Sequence, residues 1–277
     1  MGQDVLDFIS DLFYGPFFVL ANAIWNWCIG VSTGLLGTTP EGFSAEAWSY
    51  VKDTLYPWAT GIGVMIMNLF FIIGFLRAVS NFKENITLEL CIENLIRIVG
   101  LNIFLQKGFG IIRTLFQVAS FMSGQVMRME DVSMYTTDAD VGAHLFWWMF
   151  GFGYFVVALV CGIIIILTLF GRYSKLYMLI VFFPFASSTV VAGRGVDTTA
   201  YAWLKTFLSN TFEIVVIALA MTISGMIIQG ISMLEMSLPV MEYFDGFGQA
   251  FNSLLSIILM TASVKGAPAF FKQAFAL

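Results

Sequence analysis

The chain has 277 residues, 59% of them hydrophobic and 11% charged, with a mean hydropathy of +0.87 and a formal charge of −5 at pH 7. Soluble domains are about a quarter charged, and 13 basic plus 18 acidic side chains cannot clothe so apolar a chain in water. An ordinary soluble globule is excluded, and the long apolar stretches predict an all-α polytopic membrane protein.

The same composition narrows the chemistry. Cys28, Cys91 and Cys161 stand singly in apolar stretches, so neither a disulfide framework nor a paired metal-ligand spacing is expected. His144 is the single histidine, and the chain has no phosphate-binding glycine loop and no nucleophile elbow. A non-enzymatic protein without cofactor or metal is expected.

The first fifteen residues contain no Lys or Arg, the opposite of a cleavable signal. Asp4, Asp7 and Asp11 alternate with Val5, Leu6, Phe8, Ile9, Leu12 and Phe13, which predicts a short amphipathic helix on the outer surface. Stretch 16–38 is uncharged, and its Asn22, Trp25, Asn26 and Trp27 suit the headgroup region. Residues 1–55 are therefore read as interfacial helices and 56–277 as the polytopic domain. A sixth span over 16–38 is the competing reading.

Crossing roughly 30 Å of hydrocarbon takes about 20 apolar residues. Stretches 56–76, 145–170, 206–229 and 247–264 meet that test. Region 85–127 is interrupted by Glu89, Glu93, Arg97 and Arg113, and is read as one crossing over 86–106 followed by an interfacial stretch over 109–127. Basic residues cluster at Arg77 to Lys83, at Arg172 and Lys175, at Arg194 and Lys205, and at Lys265 and Lys272. Residues 129–143 and 235–245 hold none. Lys and Arg accumulate on the cytoplasmic side, so the predicted path has five spans, the N-terminus outside and the C-terminus cytoplasmic. This path requires that 177–191 not cross fully. Pro184, followed by Ser187, Ser188, Thr189 and Gly193, predicts a broken, re-entrant helix there, with a kinked ordinary helix as the alternative.

Four intramembrane polar residues stand out. Glu89, Glu93 and Arg97 recur at four-residue steps along one helix face, as a functional stripe or as charges meeting water at the interface. Glu213, in the apolar run FEIVVIALAM, needs a partner among Arg172, Lys175 and Arg194. The bland reading is a structural salt bridge, the sharper one a relay. Arg172, Lys175, Arg194 and Lys205 either hold their loops inside or form a contact surface for a partner or for phosphates.

The string FGRYSKLYMLIVFFPFASSTVVAGRG from Phe170, with AWLKTFLSNTFEIVVIALAMTISGMII after it, resembles the TrbL-like polytopic inner-membrane subunits of type IV secretion (conjugal transfer) systems, most closely those of Gram-positive elements. The resemblance covers about 145–231. It implies a channel or scaffold subunit that helps relaxase-bound single-stranded DNA or protein cross the membrane, energised by partner ATPases. Small membrane subunits, a homo-oligomeric assembly and membrane lipid are its implied surroundings. The alternative is a small-molecule or ion transporter built around Glu213 and the Glu89, Glu93, Arg97 stripe.

Overall fold

The computed structural model describes residues 15–81, 88–127, 141–192, 197–233 and 247–274. The expected amphipathic helix before residue 15 lies outside the described residues, as does Arg194. Some side chains within described helices, including those of Glu89, Glu93 and Arg97, are outside the description too.

The described chain is helical: α1 (Pro16–Leu36), α2 (Pro40–Phe43), α3 (Ala45–Tyr50), a π-helical turn (Val51–Leu55), α4 (Tyr56–Asn81), α5 (Leu88–Val126), α6 (Val141–Ser188), a 3₁₀ turn (Thr189–Ala192), α7 (Asp197–Met233) and α8 (Phe247–Ala274). Among the described residues six helical stretches, α1 included, are long and apolar enough to cross a membrane, so the all-α polytopic fold is as expected. Two expectations are corrected. α5 runs unbroken through Lys107 and Gly108, so the two stretches expected to part there form one helix over Leu88–Val126. α6 continues through Pro184 to Ser188 instead of breaking into a hairpin.

The second correction has a local cause. Proline removes one helical donor, the one that would serve the Ile180 carbonyl, and Trp203 Nε1 adds a tertiary bond to the adjacent carbonyl of Leu179 at 3.2 Å, which ties this turn of α6 to α7. Ser188 Oγ donates to the Phe185 carbonyl (2.7 Å) and Thr189 Oγ1 to that of Ala186 (2.6 Å), where the helix passes into the 3₁₀ turn. The hydroxyls do serve freed carbonyls, but at a helix end.

The chain divides into two compact units, and α5, α6 and α7 contribute residues to both. The first takes Met1–Gly37, Met122–Gly171 and Glu213–Ala274. In it α1 runs beside α6 in the same sense. A Cβ on Gly15 would sit 3.2 Å from Trp148, Phe18 stacks on Trp147 at 4.7 Å and meets Tyr154 edge-on, and Cys28 packs against Gly162. Asn22 and Trp25 are buried in this contact. Asn22 and Trp25 thus face protein, while Asn26 and Trp27 of the same stretch are exposed. Ser123 Oγ ties α5 to the Leu36 carbonyl at 2.9 Å.

The second unit takes Thr38–Phe121 and Arg172–Phe212, with the last three residues of the chain. Its core holds Trp48, Tyr56, Met67, Leu105, Ile112, Phe116, Leu176, Ile180, Phe183 and Phe207. Phe183 is the hub, meeting Tyr56 of α4, Phe104 of α5 and Trp203 of α7. Here α4 and the end of α6 run in the same sense, with Gly63 beside Pro184 and Gly74 beside Val191. α7 runs against α6, since Trp203 reaches Leu179 while Asn210 reaches back to Arg172.

The α4 to α6 crossing depends on Gly63, where a Cβ would lie 2.9 Å from both Cβ and the carbonyl oxygen of Pro184. Backbone on one side and a ring on the other cannot swing away. Gly63→Ala should therefore destabilise by about 1–3 kcal/mol through overpacking, read as a lower Tm in detergent. Gly61→Ala, in open space, should leave Tm unchanged or raise it.

Candidate functional site

The most structured polar region of the second unit lies where the connector after α1 crosses α6. The sequence TTPEGFS writes two helix starts in a row: Thr39 caps α2 by accepting from the Gly42 amide at 3.3 Å, with Pro40 in the first turn, and Ser44 caps α3 by accepting from the Ala47 amide at 3.2 Å. The connector is thereby stiffened into a strap.

Four contacts tie the strap down. Tyr173 Oη donates to the Thr38 carbonyl at 2.8 Å, and Tyr177 Oη to that of Pro40 at 2.7 Å. The Phe43 and Tyr173 rings stack with centroids 4.2 Å apart. Arg113 of α5 grips both carboxylate oxygens of Glu41, Nε at 2.9 Å and Nη2 at 3.1 Å. This last pair is half exposed, so its contribution to stability in water is at most about 1 kcal/mol. Its geometry still fixes the strap's register.

One residue from the strap contact, Arg172 turns inward. Its side chain is 2% exposed, Nε donating to the Asn210 carbonyl and Nη2 to the Thr211 carbonyl, each at 3.1 Å, while its guanidinium carbon stands 5.2 Å from the Tyr173 ring centroid. Arg172 falls one helical turn before the core residue Leu176, which sets its direction. A planar, weakly hydrated guanidinium is the cation best suited to such a place.

The four basic residues expected as a contact surface thus separate. Lys175 is exposed, Lys205 is half buried, Arg172 is internal and Arg194 lies outside the described residues. Arg172 is corrected from contact residue to internal tie. Glu213 is 3% exposed on α7. The stripe residues Glu89, Glu93 and Arg97 lie on α5, with their side chains outside the description. Pro184 sits within α6.

Sequence reasoning passed over residues 209–211. Ser209, Asn210 and Thr211 are 3%, 4% and 0% exposed in the middle of α7. Three small polar residues in succession, in a stretch otherwise apolar, were the signal available. The strap was also legible in its two capping residues.

Comparison with known proteins finds no matching family, no matching curated sequence and no matching solved structure.

Two substitutions probe the site. Arg172→Leu leaves two carbonyls without their second donor and should cost about 2–4 kcal/mol, seen as a depressed Tm. Arg172→Lys should recover only part of that loss, because one ammonium cannot reproduce the forked contact. Tyr177→Phe should cost about 1 kcal/mol through the lost hydrogen bond to the strap and should speed proteolysis at residues 38–44, measured on the protein in detergent.

Proposed function

We propose that this chain is a non-enzymatic, multi-pass bilayer subunit of a type IV secretion (conjugation) apparatus, a scaffold or channel component working with partner ATPases and small membrane subunits. The observation that carries this reading is that the stretch resembling TrbL-like proteins also supplies most of the second unit's internal ties: Arg172, Tyr173, Tyr177, Phe183 and Trp203 all fall within it. A support must hold shape while presenting apolar surface to lipid and to further subunits. Large apolar side chains are exposed along every long helix, for example Trp27, Met65, Ile96, Met149, Leu167 and Phe270.

Lys175 and Lys205 are the residues of this chain proposed to meet an ATPase, a relaxase or the phosphates of exported single-stranded DNA, with Arg194 from sequence alone. All Lys and Arg except Arg128, Lys265 and Lys272 belong to the second unit, which fits a cytoplasm-facing role under the positive-inside rule. The assembly is proposed to contain several copies of the chain.

The shared sense of α1 and the first part of α6 refines the proposed path. If 145–170 crosses inward, α1 does too, which keeps the N-terminus outside and brings residues 38–55 inside. Residues 77–83 are also proposed inside, so α4 makes no net crossing. The five crossings are then α1, α5, α6, α7 and α8, ending with the C-terminus in the cytoplasm.

The transporter reading rests on one observation, the buried Glu213 carboxylate. Solute uptake into vesicles by the purified protein without ATPases, lost in Glu213→Gln, would favour it.

Deleting the gene should abolish conjugative transfer without slowing growth, and undiminished transfer overturns the secretion reading. For the path, Thr39→Cys and Ser80→Cys, in a chain freed of its native cysteines, should both be labelled only from the cytoplasmic side. Labelling of the two from opposite sides means that α4 crosses.

A further inference from the structure

We propose that residues 209–211 form a gate in α7: a polar level that is closed off and unpaired in this conformation and takes up water when α7 shifts.

The argument begins with how this chain treats hydroxyls inside helices. A Ser or Thr within a helix satisfies itself by donating to the carbonyl four residues back. Ser32, Thr60, Thr114, Thr168, Thr206, Thr222, Ser224, Ser256 and Thr261 all do so, at 2.6–3.0 Å. Ser209 and Thr211 do not. Ser209 Oγ, Asn210 Oδ1 and Thr211 Oγ1 are sealed from solvent with no hydrogen-bond partner among the described residues. Asn210 spends only its Nδ2, on the Thr206 carbonyl at 2.7 Å.

Three consecutive residues step round a helix by about 100° each, so Ser209 and Thr211 point to nearly opposite sides. One bound solute cannot serve both. What serves donors and acceptors on several sides of a helix is water, which supplies either role at each place. Water has no access in this conformation, so satisfaction requires movement of α7.

Arg172 is the tie that such a movement has to release. The carbonyls of Asn210 and Thr211 accept from Arg172 at 3.1 Å besides serving as helical acceptors. Water entering beside Thr211 can take over these guanidinium bonds while it satisfies the two hydroxyls and the amide oxygen. Buried polar groups persist where they are hydrogen-bonded or meet water, and the open form supplies that water. The inference concerns the chain itself and holds whichever apparatus it serves.

The test uses the full-length protein in lipid vesicles, with Cys28, Cys91 and Cys161 replaced by Ala. Ser209→Cys and Thr211→Cys are near-isosteric and preserve the fold. Both should react with a small water-soluble methanethiosulfonate at least ten times faster than Ala218→Cys, a control at an equally buried position of the same helix. Rates equal to that control overturn the proposal. In a second measurement, Thr211→Val removes a buried hydroxyl without changing shape. An unpaired closed state predicts a higher Tm and slower modification of Ser209→Cys when the two substitutions are combined. A lower Tm would mean that the hydroxyl already has a partner at rest, and that also overturns the gate.

Discussion

Hydrocarbon offers no hydrogen bonds, and the details of this fold follow from that single lack. Every polar group carried to membrane depth must find its partner within the chain or remain a cost. Helices answer the requirement for the backbone. Side-chain hydroxyls answer it by folding back on their own helix, as Thr168 does on the Ile164 carbonyl and Thr261 on that of Ile257. Tyrosines pair with carbonyls of other elements, Tyr56 with that of Leu105 at 2.9 Å and Tyr173 with that of Thr38. The result is a chain in which nearly any buried polar contact ends on a main-chain carbonyl.

Within that economy Arg172 has a special position. A guanidinium brings more donors than a helix can absorb, and it is placed where α7 presents two successive carbonyls together with three polar side chains. The strap lies immediately beside it, through Tyr173. Rigidity and a weak point therefore adjoin: the strap and the Phe183 hub hold the second unit together, while residues 209–211 leave α7 incompletely satisfied.

Much of the fold was legible in the residues. Uncharged runs of about 20 residues identify spans by length alone, and the basic clusters give a consistent path. Where the reading went astray, the residue types were right and their surroundings were not. Trp25 and Asn22 suggested a headgroup environment, and the sequence did not show that both would be buried in the first unit, at 1% and 7% exposure, while Asn26 and Trp27 stay exposed. Pro184 suggested a break, yet a proline costs one bond, and Trp203, 19 positions on, donates next to the gap. That donor is tertiary, so no local pattern announces it. Lys107 and Gly108 looked like a boundary for the same reason: the absence of a Cβ at Gly108 admits the Phe183 ring, which only the folded chain shows. Of the candidate site, the basic residues were found in sequence but not their division into exposed Lys175 and internal Arg172. Direction round a helix depends on what packs there, and single-sequence patterning does not contain it.

The proposed path stands on α1 crossing the bilayer and not lying on its surface. Trp27 lies near its midpoint and is 64% exposed, so a spin label placed there in vesicles reports depth directly. Collision with lipid-soluble oxygen should be frequent and collision with a water-soluble nickel chelate rare, as for hydrocarbon. Frequent collision with the nickel chelate would place α1 at the interface and contradict that path.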